Sequence, residues 1–493
     1  MRTRPFQRTL DQQKTPLAAG VYGSNVASQF LRDLKTGTDS VDIITLGDSN
    51  TMRGDYGYTG GWHRALNYFC GSTAYASPLY AGNLFLNGAP NGTSRSDYGW
   101  GTGTAQTWTA DNYTTDRIGT YRHLVQAAAA SDTNAVALKN YLGFDSTNYT
   151  DDSNTRLPKS HGWQWVGAFV PQLVSAAQNY YSSSAGSNYI TIGTTSELNY
   201  ATGSGGSALQ YRVVYGSFGT GTGQFTLGTR DLSSPNTTTY AATAQSTSAA
   251  IGYATTTLNF TTQATTLNNV RCYWDGFSAT QSLQAKGPVA ILWQSVIFQS
   301  KKGYAATCLI GHSGLDTTGI ADRIEYMDKL LDSHLKEIID RQKQAGGTGR
   351  AIIFLNSGIN DTTPATTWTP ATTRIVQRIQ QRWAVAGGSL ANLAFVFSVT
   401  HATTAQGAWD TGRAAAATAA NAWGTTNANS NVCVVDLATN YSGYKMLNGV
   451  SGAGGSVYDS AGAGQAHLST ALTQLNGYDA MVGNVVSSLL AST

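Results

Sequence analysis

Four residues of this chain are of the types that acyl transfer requires. Ser49 follows a short β-branched apolar run, and a serine hydroxyl in such a turn could act as a nucleophile. Gly314 and Asn360 follow two later apolar runs, and they could offer a backbone N–H and a side-chain amide to an oxyanion. His467, near the end of the chain, could take the proton from the hydroxyl.

The candidate residues come after segments that predict buried strands. Short apolar runs rich in Val, Ile and Phe predict strands at 41–46, 304–310, 351–355, 393–399 and 432–435. Apolar residues at helical spacing predict helices at 61–70, 317–344, 408–423 and 478–490, with Thr317 or Thr318 as a cap and Thr369-Pro370 beginning another helix. This alternation predicts an α/β fold with a doubly wound parallel sheet, in which strand ends gather the functional groups.

The middle of the chain has a different pattern. Between residues 162 and 300, short alternating runs recur between Gly, Ser and Thr turns, which predicts an inserted β-sandwich or jelly roll. Residues 72–161 read as an irregular insertion with one helix at 121–142, and residues 1–40 as an N-terminal arm with a short helix. The remaining segments, 41–71 and 301–493, would form the two parts of the α/β domain. Trp163, Trp165, Trp274 and Trp293 could stack on sugars, although their alternation with apolar residues favours core packing.

The composition of the chain indicates its number of domains, its partners and its localisation. The 493 residues predict two or three domains, and a net charge of +3 is too small to indicate a nucleic-acid partner. No apolar segment is long enough to span a membrane, and no signal peptide is visible. Only 12% of residues are charged, which suits an extracellular or virion protein such as a phage component.

The cysteines and the known sequence motifs indicate no cofactor. The four cysteines are scattered without metal-ligand spacing, no disulfide pairing can be argued, and Cys308 and Cys433 lie in apolar runs that predict buried thiols. No nucleotide-binding or metalloprotease motif is present, so we expect neither a metal nor a cofactor.

Four sequence blocks together resemble the SGNH/GDSL hydrolase family. They are the Gly-Asp-Ser-Asn turn at 47–50, the Gly-His-Ser-Gly turn at 311–314, the Gly-Ile-Asn-Asp turn at 358–361 and the late His467. The resemblance covers roughly residues 41–70 and 303–490 and implies a three-layer, flavodoxin-like sheet. It implies that Ser49 is the nucleophile and His467 the base, and that Ser49, Gly314 and Asn360 form the oxyanion hole.

The chain departs from the family pattern before the histidine. An aspartate usually stands three residues upstream, where this chain has Gly464. Asp459 could reach the imidazole through the glycine-rich loop, or a Ser–His dyad could act alone, or the site could be impaired. Two alternatives remain open. Gly311 could take the place of Gly314 in the oxyanion hole, and His401 could act as the base instead of His467.

Other residues near the blocks have structural explanations. His312 is interpreted as structural, and Asp48 and Asp361 as residues that shape turns.

Two functions are compatible with these features. The first is a serine esterase that removes O-acetyl groups from a polysaccharide or cell-surface glycan, because an inserted β-sandwich beside such a core resembles the carbohydrate-active members of the family. The second is a structural or receptor-binding virion protein that retains the hydrolase fold as a scaffold. Other virion proteins and further copies of the chain would be partners in that case.

Overall fold

The computed structural model describes the chain in separate stretches. They are residues 20–48, 50–51, 58–70, 302–303, 305–311, 315–326, 328–399, 407–437 and 477–492, together with the backbone of nine strands between 164 and 298. The chain divides into two compact units. The first comprises Met1–Tyr75, Lys302–Glu325 and Gly347–Thr493, and the second Ala76–Lys301 and Tyr326–Gly346.

The described strands and helices follow in chain order. The strands are β1 (Val21–Gly23), β2 (Val41–Gly47), β3 (Gln164–Val166), β4 (Tyr189–Thr191), β5 (Leu209–Gly216), β6 (Gln224–Asp231), β7 (Thr238–Tyr240), β8 (Gln245–Ser246), β9 (Gly252–Leu258), β10 (Val270–Asp275), β11 (Ala290–Phe298), β12 (Ala305–Gly311), β13 (Ala351–Ser357), β14 (Leu393–Val399) and β15 (Val432–Val435). The α-helices are α1 (Val26–Thr36), α2 (Tyr58–Cys70), α3 (Thr317–Tyr326), α4 (Asp328–Gln344), α5 (Pro364–Val385), α6 (Gly407–Thr426) and α7 (Gly477–Ala491).

The first unit is built on a mainly parallel sheet. Its strands lie in the order β12-β2-β13-β14-β15-β1, in which the first five run parallel and β1 pairs antiparallel with β15. If the five parallel strands are numbered along the chain, their order in the sheet is 2-1-3-4-5. The predicted α/β class is confirmed. The three residues of β1 were not predicted as a strand.

One face of this sheet is covered by α2. Phe354 of β13 pairs with Thr45 of β2, and paired residues of neighbouring parallel strands point to the same face. Trp62 of α2 lies on that face, with its ring edge-on to Phe354 at 5.3 Å between centroids. Its indole Nε1 donates to Thr45 Oγ1 at 3.1 Å, so the buried ring has a partner for its polar atom.

The opposite face is covered by α5 and α6. Val396 of β14 pairs with Phe354, and Phe397, the next residue along the strand, points the other way. The ring of Phe397 lies 6.2 Å from Trp368 of α5 and 5.7 Å from Trp423 of α6. Helices therefore pack on both faces of the sheet, and its buried strands have apolar residues on both sides.

Helices α1, α2 and α7 pack against one another in the first unit. Phe30, Leu31 and Leu34, predicted as the anchors of the first helix, are all buried. Gly61 lets α2 approach α7 closely, because a Cβ there would lie 3.1 Å from the Tyr478 carbonyl oxygen. Larger residues at that position would push the two helices apart.

Two helix boundaries differ from the prediction. Helix α5 begins at Pro364 with Thr363 as its N-cap residue, and Pro370, predicted for the first position, lies inside the helix. Both prolines follow a threonine, so the local signal for a helix start is the same at either place. The N-cap of α3 is Asp316, whose Oδ1 accepts from the Gly319 N–H at 2.6 Å; a threonine was predicted there.

The predicted helix over 317–344 is described as two helices, α3 and α4. Met327 between them lies outside the described residues. Apolar residues keep their helical spacing from Ile320 to Ile338, so the pattern contains no sign of a boundary.

The second unit contains two antiparallel sheets among its described residues. Strands β4, β10, β6 and β7 form one sheet, with β8 also paired to β6, and β11, β5 and β9 form the other. Helix α4 packs against β11, and its Glu337 and Arg341 form a fully buried ion pair at 3.3 Å. The β-sandwich stays a prediction. The predicted helix at 121–142 and the side chains of the four tryptophans lie outside the described residues.

The described part of the chain bears on two predictions, one about membrane spans and one about buried thiols. None of its helices is both long and apolar enough to cross a membrane. Cys70 and Cys433 are buried free thiols, as predicted for Cys433. The side chain of Cys308 is outside the described residues.

Candidate functional site

The carboxyl ends of β2, β12 and β13 lie side by side in the first unit. Gly47, the last residue of β2, pairs with Gly311, the last residue of β12, and Leu46 pairs with Leu355 of β13. Because parallel strands end at the same edge, the loops that follow them are neighbours. Of the predicted site residues, Asn360 is described on this edge. Four others lie outside the described residues: Ser49, Gly314, Asp459 and His467.

The turn after β2 is fixed on both sides of position 49. Asp48 Oδ1 accepts from the Asn50 N–H at 2.8 Å, and the Thr51 N–H donates to the Asp48 carbonyl oxygen at 3.1 Å. A Cβ on Gly47 would clash with Thr51 Oγ1, so a larger residue at this position would displace the Thr51 side chain. Asp48, Asn50 and Thr51 are all buried. The residues that flank Ser49 are therefore held tightly.

The side chain of Asn360 joins this turn to the loop after β12. Its Nδ2 donates to the carbonyl oxygen of Leu315 at 2.8 Å, and it lies 3.4 Å from Asp48 Oδ2. The first contact is a good hydrogen bond, whereas the second is long for one. Asn360 is partly exposed, unlike the buried residues around it. The amide nitrogen is thus anchored on Leu315, and its contact with Asp48 is weak.

Asp361 connects the N-terminal turns of α3 and α5 at the same edge of the sheet. Its Oδ2 accepts from the backbone N–H of Thr317 at 3.2 Å and from the Thr317 hydroxyl at 2.8 Å. Its Oδ1 accepts from the Thr367 hydroxyl at 2.9 Å. A carboxylate at a helix N-terminus satisfies N–H groups that the helix leaves unpaired. Asp361 therefore fixes α3 and α5 relative to the turn that holds Asn360.

The last helix also reaches the turn after β2. Tyr478, in the first turn of α7, is fully buried, and its hydroxyl donates to the Asn50 carbonyl oxygen at 2.8 Å. The same hydroxyl lies 3.4 Å from Asn50 Oδ1. This contact joins the turn around Ser49 to the helix that follows the loop of His467.

Two buried carboxyl groups at this edge of the sheet, Asp48 and Asp361, have raised pKa values. Burial raises the pKa of Asp48 to about 6, although the hydrogen bonds from Asn50 act in the opposite direction. Burial likewise raises the pKa of Asp361, against the hydrogen bonds from Thr317 and Thr367. The charge of Asp361 further raises the pKa of Asp48. The protonation of these groups therefore changes at a higher pH than in a solvated carboxyl.

Among the described residues, no cluster of three or more His, Cys, Asp or Glu side chains could hold a metal ion. The expectation that the chain needs neither a metal nor a cofactor stays a prediction for the whole chain.

Comparisons with known proteins found a distant structural neighbour. No protein-family model and no curated protein matches it. A solved structure described as "Peptidoglycan O-acetylesterase in action, 5 min" is similar, with 9% sequence identity and a TM-score of 0.40 over 96% of this chain and 99% of that chain. A likeness this distant assigns neither a fold nor an activity. A function for the site is therefore supported only by the contacts of the chain's own residues.

Sequence reasoning missed the contacts that hold the site together. It identified Asn360 as an amide donor, but it treated Asp48 and Asp361 only as turn formers and did not single out Tyr478. The carboxylates could have been suspected because each follows a strand and stands beside a candidate residue, at 48–49 and 360–361. No sequence signal pairs Tyr478 with Asn50, since they lie 428 positions apart.

Proposed function

We propose that the chain is a carboxylic-ester hydrolase of SGNH type, in which Ser49 is the nucleophile and His467 the base. Its substrate would be an O-acetyl group on a polysaccharide or cell-surface glycan. The observation that carries the proposal is the proximity of Asp48 and Asn360, which lie 312 positions apart in sequence. Asp48 directly precedes the candidate nucleophile, and Asn360 is the candidate oxyanion donor.

The reaction would proceed through an acyl-enzyme. The Ser49 hydroxyl attacks the acetyl carbonyl carbon while a His467 ring nitrogen accepts its proton. The negative oxygen of the tetrahedral intermediate accepts hydrogen bonds from the Ser49 and Gly314 N–H groups and from the Asn360 amide. Collapse breaks the bond to the sugar oxygen, which takes the proton back from His467. Water then repeats the sequence on the acetylated serine and releases acetate.

The Asn360 amide has the properties that this role requires. Its Nδ2 is anchored on the Leu315 carbonyl oxygen, and among the described residues its remaining contact is the long one to Asp48. A donor that is already oriented needs little reorganisation when negative charge develops near it. Partial exposure of Asn360 leaves room for a substrate atom to approach.

The strand order supports the finer description of the fold. The order 2-1-3-4-5 of the parallel strands is one of the two common orders in doubly wound sheets, whose ligands bind outside the carboxyl ends of the strands. The flanking helices and the candidate donor are consistent with that arrangement. An extracellular or virion setting fits the low charge of the chain.

The proposal is tested with p-nitrophenyl acetate and with an O-acetylated polysaccharide. Wild-type protein is expected to release nitrophenol and acetate, and Ser49→Ala to lose at least about 1,000-fold in kcat. Ser389→Ala is the matched control, because this exposed serine precedes β14 at the opposite edge of the sheet. An inactive wild type, or an active Ser49→Ala, would reject the esterase and leave the scaffold function in a virion protein.

A further inference from the structure

Asp48 is a buried carboxyl group that the proposed reaction does not use. Only 2% of its surface is exposed, and burial of a carboxyl costs free energy unless it gains partners. Its Oδ1 accepts from the Asn50 N–H at 2.8 Å, which closes the turn around position 49. An asparagine would close that turn equally well, because its side-chain oxygen accepts the same bond. Turn formation alone therefore does not explain a carboxylate here.

The second carboxylate oxygen makes a contact that the turn does not need. Asp48 Oδ2 lies 3.4 Å from Asn360 Nδ2, on the loop after β13. A carboxylate only accepts hydrogen bonds, so it can face two N–H groups at once. The amide of an asparagine at position 48 would face one of them with its own N–H group instead. Only an aspartate can accept from both Asn50 and Asn360.

We propose that Asp48 is a positioning residue: by accepting from Asn50 with one oxygen and facing the Asn360 amide with the other, its carboxylate sets where that amide lies relative to the turn of Ser49. This role rests on the proposed esterase function. Asn360 is already anchored on Leu315, and the Asp48 contact orients its second N–H toward the turn of the nucleophile. A distance of 3.4 Å marks a weak bond, which the N–H can give up when a developing oxyanion offers a closer acceptor.

The charges and contacts around Asp48 set the pH at which its carboxylate forms. Among the described residues, Asp361 is the charged group that acts on Asp48, and Asp316 in turn acts on Asp361. Both are acidic, and burial acts in the same direction, so the carboxylate is the less favourable form. The N–H groups of Asn50 counteract this effect. The bridge therefore forms fully only above the pH at which Asp48 ionises.

The test compares Asp48→Asn with Asp48→Ala in steady-state kinetics on p-nitrophenyl acetate at pH 8. A turn-forming role predicts that Asp48→Asn behaves as wild type, because its oxygen still accepts from Asn50. The positioning role predicts that both variants lose about 10-fold or more in kcat while KM changes less than about 2-fold, since a misplaced oxyanion donor affects the transition state rather than substrate binding.

Two controls keep the result interpretable. Asp322→Asn removes a half-exposed carboxyl on α3 and is expected to keep the wild-type kcat. Circular dichroism and thermal unfolding verify that Asp48→Asn is folded, so a loss of kcat cannot be assigned to unfolding. An Asp48→Asn variant with wild-type or higher kcat would overturn the positioning role alone. An inactive wild type would overturn the esterase function and this role together.

Discussion

Tyr478 and Asn50 are joined by a buried hydrogen bond of 2.8 Å, which the tyrosine hydroxyl donates to the backbone carbonyl oxygen of Asn50. The bond connects the first turn of α7 to the residue after Ser49. Helix α7 also packs against α1 and α2, so the turn after β2 is tied to a three-helix layer. The segment that leads from His467 into α7 therefore ends at a fixed point beside the turn that contains Ser49.

Loss of this bond should destabilise the first unit. Tyr478→Phe removes one buried hydroxyl and is expected to lower the free energy of unfolding by about 1 kcal/mol, measured by urea denaturation followed through tryptophan fluorescence. Tyr22→Phe is the matched control, because the Tyr22 side chain on β1 is 39% exposed. Equal losses in the two variants would contradict a specific role for the Tyr478 hydroxyl.

Asp361 should be more important for stability than an exposed carboxylate. Asp361→Ala removes the acceptor of two Thr317 bonds and one Thr367 bond and is expected to cost about 2–3 kcal/mol in urea denaturation. Asp361→Asn keeps one acceptor oxygen and should cost less. Asp322→Ala, which breaks a half-exposed ion pair with Arg374, should cost under about 1 kcal/mol. The reverse order of losses would show that Asp361 does not hold the two helices.

The stability of the first unit should fall as pH rises through the range of Asp48. Burial raises the pKa of Asp48 from 3.8 to about 6, so the folded state binds its proton more tightly than the unfolded state does. The resulting stabilisation is complete below pH 3.8 and is lost as the pH rises to about 6. A shift of this size corresponds to about 3 kcal/mol of unfolding free energy. The raised pKa of Asp361 acts in the same direction.

Removal of the ionisable group isolates this contribution. The difference in unfolding free energy between wild type and Asp48→Asn, measured by urea denaturation at several pH values between 4 and 7, should change steadily in favour of the variant as pH rises. Asp322→Asn, which removes a half-exposed carboxyl, serves as the control and should follow the wild-type profile more closely. A constant difference between wild type and Asp48→Asn would contradict a raised pKa.

The two described cysteines should be unreactive in the folded protein. Burial raises the pKa of the Cys70 thiol to about 11 and that of the Cys433 thiol to about 12, and the thiolate is the reactive form. Iodoacetamide at pH 8 is expected to label neither peptide within minutes, as read by mass spectrometry, and to label both in denaturant. Rapid labelling of either thiol in the native protein would contradict its burial.

The partner of the candidate base can be identified by substitution. His467→Ala should reduce kcat by at least about 1,000-fold if His467 is the base, whereas His401→Ala should leave most activity. Asp459→Asn is expected to lower kcat if this carboxylate orients the imidazole, and a silent Asp459→Asn would indicate a Ser–His dyad. Activity on p-nitrophenyl acetate is the measurement, and a silent His467→Ala would make His401 the base.

Local patterns were sufficient for the elements that are long and apolar. The strand at 393–399 was predicted at its observed bounds, because seven consecutive apolar or small residues suit a strand that is buried on both faces. β1 has three residues, too few for any period to show, and it is a strand only because β15 offers it an edge. The start of α5 was misplaced because two prolines carry the same local signal.

The sequence by itself determined which residue types stand at the ends of the strands, since a β-branched run followed by small polar residues specifies a strand and a turn in any context. It thereby indicated Asn360 as a candidate oxyanion donor and Ser49 as a candidate nucleophile. Only the tertiary structure decided that the loops after β2 and β13 are neighbours, because local propensities are satisfied by many strand orders. The order β12-β2-β13 brings Asp48 to within 3.4 Å of Asn360, and that contact depends on packing between segments hundreds of residues apart.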